Sequence, residues 1–170
     1  MNSSKLNYQP NFTVTMKREK YPYITDETFS RFEFESQGPN GTIKKVIDYY
    51  EIGDWIDGTP IYNLAFGDWN ENENIINDLT ISNNADRNKV LSTVANTVLD
   101  IMTHIGDIAV YAKGSTPART RLYQMGINAA REEIEDFFDV YGYDDGIWRK
   151  FESGKNYGAF LVIRKKSKFD

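Results

Sequence analysis

Asp86-Arg87-Asn88-Lys89-Val90-Leu91-Ser92-Thr93-Val94-Ala95-Asn96-Thr97-Val98-Leu99-Asp100-Ile101-Met102-Thr103-His104-Ile105 is the stretch that decides the fold. Apolar side chains recur at Val90, Val94, Val98, Ile101 and Ile105, and a second row, Leu91, Ala95, Leu99 and Met102, lies beside them. Spacings of three and four place both rows on one side of an α-helix, as a wide stripe that needs a core to face. Asn84 or Asp86 can cap its start, and Gly106 can end it.

Upstream of this helix the period is two. Phe12, Val14 and Met16 alternate with polar residues, and Phe32 and Phe34 alternate with Arg31, Glu33 and Glu35, the pattern of half-buried strands. Gly38-Pro39-Asn40-Gly41 reads as a hairpin turn, because Asn-Gly tolerates positive φ. Residues 42–52 return as a long strand, 53–60 form a loop, and 61–66 form a short strand stopped by Gly67-Asp68. Residues 69–77, dominated by Asn and Glu, read as a surface loop.

Downstream, residues 108–112 are a short apolar run between breakers, as expected of a buried strand. Thr116-Pro117 reads as an N-cap followed by proline at the first helical position, where its missing N–H costs nothing. That second helix runs through Leu122, Met125 and Ala129 toward Phe137. Strands follow near 140–143, 148–151 and 157–164. The expectation is one α+β domain over residues 1–170, with flexible ends at 1–10 and 165–170. Its sheet is largely antiparallel, two main helices pack on one face, and the helix–strand–helix part has room for one parallel crossover.

The 170 residues are 40% hydrophobic and 14% aromatic, ample for a core. There is no cysteine, which excludes disulfides, thiolate metal sites and cysteine catalysis. The single histidine, His104, excludes multi-histidine metal sites. No run suits a signal peptide or membrane span. With no cysteine, that makes the cytoplasm the expected location. A net charge of −5 argues against a nucleic-acid partner. Seven acidic side chains and no basic one lie between Glu51 and Asp78. They read as a solvated surface, with a hard-cation site at Asp54, Asp57 or Asp68 as the sharper reading. Their spacing matches no calcium loop, and neither a metal nor a cofactor is expected.

The segment most suited to chemistry is Lys113-Gly114-Ser115-Thr116-Pro117-Ala118-Arg119-Thr120-Arg121-Leu122-Tyr123. A glycine turn that opens a helix presents backbone N–H groups and a positive dipole end, a combination that favours phosphate or carboxylate. Lys113, Ser115, Arg119 and Arg121 add donors, and an arginine fork can grip a planar anion with two bonds. The pattern is neither a Walker loop nor a G-x-G-x-x-G, and the bland reading is a capped helix with paired arginines. Arg119 and Arg121 stand roughly 200° apart around a helix, so both cannot face one ligand, whereas Arg119 and Tyr123 share a face. An anion is therefore expected at Ser115, Thr116 and Arg119. Arg121 is expected in an ion pair, with Asp68 and Asp86 as the available acidic partners.

Other candidates read as structural. His104 suits the C-terminal dipole of its helix. Glu132, Glu133, Glu135 and Asp136 suit a solvated face. Tyr49, Tyr50, Tyr62, Trp69 and Trp148 suit packing rather than base stacking.

Four blocks carry a resemblance: Tyr62-Asn63-Leu64-Ala65-Phe66-Gly67-Asp68, Ser82-Asn83-Asn84-Ala85-Asp86 with Lys89-Val90-Leu91, Gly114-Ser115-Thr116 with Ala118-Arg119-Thr120-Arg121-Leu122-Tyr123, and Tyr157-Gly158-Ala159-Phe160-Leu161. Over about residues 30–165 the chain resembles a family of short bacterial proteins of unknown function, common in the Bacteroidetes group. The resemblance implies a bacterial or phage intracellular setting and a stand-alone domain. It brings no catalytic residues.

Three classes of function stay open. The leading one is a non-catalytic or regulatory domain that binds a small anionic ligand or a protein partner at the helix start, residues 114–121. The second is an enzyme acting on a nucleotide or phosphorylated substrate, as a toxin or phage-conflict effector, with Arg119 holding the substrate and Asp68 or Asp86 as base. The third is a structural subunit that assembles, for example as a homodimer, through exposed Tyr and Trp.

Overall fold

The computed structural model describes residues 17–55, 57–78 and 83–166. The expected strand at Phe12, Val14 and Met16, and the expected flexible end at 1–10, lie outside these. The protein is α+β. Among the described residues, nine strands form one sheet: β1 (Tyr23–Thr25), β2 (Arg31–Gly38), β3 (Gly41–Asp54), β4 (Pro60–Asn70), β5 (Ile75–Asn77), β6 (Ala109–Ala112), β7 (Phe138–Asp144), β8 (Ile147–Lys150) and β9 (Phe160–Arg164). The described residues also form α1 (Arg87–Ile105), α2 (Pro117–Ala129) and α3 (Arg131–Phe137). The strand order is β1-β2-β3-β4-β6-β9-β7-β8, with β5 on β4. Every pairing is antiparallel except β4 with β6, which α1 joins as a crossover.

The Gly38–Gly41 turn is present, and Gly41 of its Asn-Gly pair takes the positive φ, at 86°. Four sequence expectations need correction. Gly67-Asp68 does not stop β4, which runs on through Trp69 and Asn70. A Cβ on Gly67 would lie 2.5 Å from the Asn77 carbonyl oxygen, so this glycine admits β5 alongside. The expected loop at 69–77 therefore contains the end of one strand and all of another. The second helix does not run unbroken to Phe137: Ala130, at φ −108° and ψ 14°, divides it into α2 and α3. Neither glycine nor proline stands at that bend, and Ala130 at it and Ile134 beyond it are both buried, so packing rather than local sequence decides it. The fourth correction concerns the start of α1, where neither Asn84 nor Asp86 makes a side-chain cap bond.

Those two side chains instead tie the helix entry to the first hairpin. Asn84 Oδ1 accepts the Asn40 backbone N–H at 2.8 Å. Its Nδ2 donates to Ser36 Oγ and to the Gly41 carbonyl, both at 3.0 Å. Asp86 accepts the Tyr21 hydroxyl at 2.6 Å and the Ser36 hydroxyl at 2.5 Å. Gly38 is what lets the loop approach, since a Cβ there would sit 2.0 Å from the Asn84 carbonyl oxygen.

The apolar stripe of α1 is buried as the period requires, with Ile101 and Met102 at 0% and 1% exposure. The helix is also buried on a polar side. Thr93, Asn96, Thr97 and Asp100 follow helical spacing and meet main-chain and tyrosine partners. Thr93 accepts the Tyr21 N–H at 2.9 Å, Asn96 donates to the Tyr23 hydroxyl at 2.6 Å, and Thr97 shares a bond with the Tyr49 hydroxyl at 2.8 Å. Asp100 accepts from the Tyr23 hydroxyl. Tyrosine suits such a border because its ring packs as an apolar body while its hydroxyl satisfies a buried polar group.

Two measurements test this account. Asn84→Ala removes the Asn84 bonds to the Asn40 N–H and the Gly41 carbonyl and one of the two bonds of the Ser36 hydroxyl, and is expected to cost about 2–4 kcal/mol in denaturant unfolding; a change under ~0.5 kcal/mol would refute the tie. Burial pushes the Asp100 carboxyl up to about 6, against the opposing pull of the Tyr23 hydroxyl and Lys20. The folded state then holds this proton more tightly than the unfolded chain, so the associated stability is present below about pH 4 and is lost as pH rises through about 6. Between pH 4 and pH 7 the wild type is expected to lose about 2–3 kcal/mol relative to Asp100→Asn. Parallel stability-against-pH curves would disprove that.

Candidate functional site

The turn before α2 is closed by its own helix. Gly114 is buried, and its N–H donates to Thr120 Oγ1 at 3.0 Å. A Cβ on Gly114 would lie 2.3 Å from the Thr120 nitrogen, so this residue is glycine because the turn lies against the first turn of the helix. Thr116 caps as its position demands, accepting the Arg119 backbone N–H at 3.2 Å, with Pro117 following. Ser115 donates its hydroxyl to the Asp78 carbonyl at 2.9 Å. Lys113 and Arg121 are exposed, and Arg121 makes no ion pair among the described residues.

Arg119, unlike Arg121, is buried. It is 8% exposed, and its Nη2 donates to the Phe66 carbonyl at 3.3 Å. Tyr123, one turn later, shares its face. Burial pushes the Tyr123 hydroxyl up to about 12, although the Arg119 guanidinium pulls it down, so the hydroxyl stays neutral and can donate throughout the physiological range.

Arg119 and Tyr123 form one wall of a cleft of about 750 Å³. The start of α1 supplies a second wall through Asp86, Arg87 and Lys89. The floor comes from Gln37, Lys45 and Phe66 on β2, β3 and β4, with Tyr21 beside them. Lys89 lies 4.2 Å from the Tyr21 ring centre and 3.2 Å from the Glu19 carboxylate. Lys45 is buried and donates to Asp68, its cross-strand neighbour in register. Four cations and two carboxylates, Glu19 and Asp86, border the space, with Asp68 behind Lys45.

The structure therefore gathers Arg119, Tyr123 and Asp86 around one cleft, with Asp68 adjoining it through Lys45. It does not bring Lys113, Gly114, Ser115, Thr116 or Arg121 to that space. Lys45, Arg87, Lys89, Tyr21 and Gln37 were missed by the sequence reading. For Lys45 a signal existed: in the period-two pattern it shares a face with Ile47 and Tyr49, and a lysine on the inward side of a strand asks for a buried acid. Asp68 carries the same signal on β4, sharing parity with Leu64 and Phe66.

The remaining candidates are placed simply. His104 stacks on Phe29, ring centres 4.2 Å apart, in the last turn of α1. Glu133 pairs with Arg18 at 3.8 Å and Glu135 with Arg131 at 2.7 Å. Asp57 accepts the Thr59 N–H, Asp54 ends β3 and Asp68 holds Lys45. Among the described residues, no three potential metal ligands cluster. Trp69 lies under Arg31 and Lys44, 5.3 and 5.5 Å from its centre, and Trp148 packs on Tyr111 and Tyr143.

The fold and the cleft define an α+β domain in which one helix start and one buried arginine converge over a sheet. The chain belongs to a family of unknown function, DUF6934, whose model matches residues 17–165. No curated protein and no solved structure matches it. Among the described residues, no helix is long and apolar enough to cross a membrane.

Gly114→Ala is expected to lower the melting temperature by about 4–8 °C, the equivalent of about 2 kcal/mol, because the new methyl meets backbone that cannot move aside. An unchanged melting temperature would show that the turn does not lie tightly against the helix.

Proposed function

We propose that the protein is a non-catalytic, intracellular bacterial domain that binds a small anionic ligand in the cleft between α1 and α2, with Arg119 as the principal contact. On this reading α1 and α2 cover one face of the sheet, and the cleft opens at the border between them. The observation that carries the proposal is the placement of the Arg119 guanidinium, held by the Phe66 carbonyl within a cleft that Lys45, Arg87 and Lys89 also border. A partly buried guanidinium is worth more to an anion than an exposed one, because water screens it less. Its fixed setting lowers the ordering cost of binding.

Binding is favoured over catalysis by the engagement of the acids at and behind the cleft, where Glu19 also pairs with Lys89. Asp68 holds Lys45, and Asp86 accepts two hydroxyls. A general base has to be available to the proton it removes, whereas these carboxylates are committed to holding the cleft together. The expected role of the turn at 113–116 shifts accordingly: it positions Arg119 by capping the helix that carries it.

Thermal shift with inorganic phosphate, short carboxylates and nucleotides tests the proposal. At about 100 times its Kd, a ligand of the folded state adds about 2.7 kcal/mol, a rise of roughly 5–10 °C. Arg119→Gln is expected to abolish that rise. Lys89→Gln, at the cleft's outer wall, is expected to weaken it several-fold and keeps the test decisive should Arg119→Gln fold poorly. No shift with any of these anions, or shifts indifferent to both substitutions, would refute the reading.

A further inference from the structure

A second space lies directly behind the cleft. It measures about 100 Å³, is partly open to solvent, and is lined by α1, α2, α3 and the sheet strands β4, β6, β7 and β9, with Arg18 also on its border. Its walls are almost wholly apolar. It exists because four small residues meet where a close-packed interior would carry larger ones: Ala95 on α1, Ala112 on β6, Gly126 on α2 and Ala130 at the bend. Gly126 has a further reason to be small, since a Cβ there would come within 2.5 Å of Leu91 Cδ1. An apolar cavity offers water too few partners to hold it, and one of about 150 Å³ takes up benzene. A space of about 100 Å³ suits the end of a short alkyl chain.

Leu91 and Tyr123, together with Asn88, border both spaces. On one side of this pair lie Arg119 and Lys89, and on the other lies the apolar cavity. We infer that the ligand is amphipathic: a carboxylate or comparable anion with a short apolar tail, its head at Arg119 and its tail passing between Leu91 and Tyr123 into the cavity. This rests on the anion-binding reading above and adds the chemistry of the ligand's other end. Tyr123 suits the boundary, because its ring lines the apolar side while its neutral hydroxyl stays beside Arg119.

Titration calorimetry on the full chain, with straight-chain carboxylates from ethanoate to octanoate and the 1-alkanols of equal length, separates the two readings. Affinity for the carboxylates is expected to rise about fourfold per methylene over the first few carbons and then level off once the cavity is full. The alkanols are expected to bind at least tenfold more weakly. Ala95→Leu, which fills the cavity, is expected to flatten the length dependence and leave ethanoate and phosphate binding unchanged; Ala112→Val serves as the milder filling should Ala95→Leu misfold. Binding of phosphate and ethanoate with no gain on lengthening overturns the inference and leaves the anion-binding reading standing. A length dependence shared equally by alkanols and carboxylates, and indifferent to Arg119→Gln, overturns both, as does an absence of binding across the series.

Discussion

Asn84 and Asp86 bind the entry of α1 to the β2–β3 hairpin, and much of the molecule follows from that tie. The hairpin offers Ser36, the Asn40 N–H and the Gly41 carbonyl, and the entry loop supplies an amide and a carboxylate that answer all three. The loop takes positive φ at Asn83 and Ala85 to do so. For Ala85 that conformation costs on the order of 1 kcal/mol. The bonds it allows recover more than this, because they satisfy groups that burial would otherwise leave unpaired. With the loop fixed, the first turn of α1 stands over the sheet beside Lys45 and Phe66, and a wall of the cleft exists.

The molecule's buried polar groups follow the same logic. Lys45 with Asp68, Asp86 with Tyr21 and Ser36, and Asp100 with Tyr23 each place a charged or ionisable side chain where an apolar one would pack at lower desolvation cost. Two of these three surround the cleft. Apolar packing tolerates sliding, whereas a lysine needing one acid and an aspartate needing two hydroxyls admit one register. The same contrast runs through the pair of spaces behind Arg119, where a polar border with fixed bonds adjoins an apolar void left by small side chains.

Features governed by neighbours in sequence were legible. The β2–β3 hairpin, α1 and its glycine stop and the Thr116-Pro117 start of α2 all follow from periodicity, turn chemistry and capping, whereas for the parallel crossover the sequence only left room. The opposition of Arg119 and Arg121 was legible too, since it needs only the helical period. What was misread shares a cause. Gly67 signals a stop when read locally, yet it makes room for β5. Asp86 has the identity and position of a cap, yet a tyrosine and a serine far away in sequence claim its carboxylate. Ala130 is a good helix former, yet packing bends the chain there. In each case a long-range partner outweighed a local preference, which is worth about 1 kcal/mol or less.

The sequence by itself determined the α+β class, the antiparallel hairpin, the amphipathic helix and the face on which Arg119 lies, because these depend on spacings of two, three and four residues along one segment. The tertiary structure alone decided that Arg119 borders one cleft with Lys45 and Lys89, and that the glycine turn before it does not. It alone placed an apolar cavity behind them. Those neighbours come from strands and helices dozens of residues apart, and only the sheet order and the tie at Asn84 and Asp86 bring them within reach of one another.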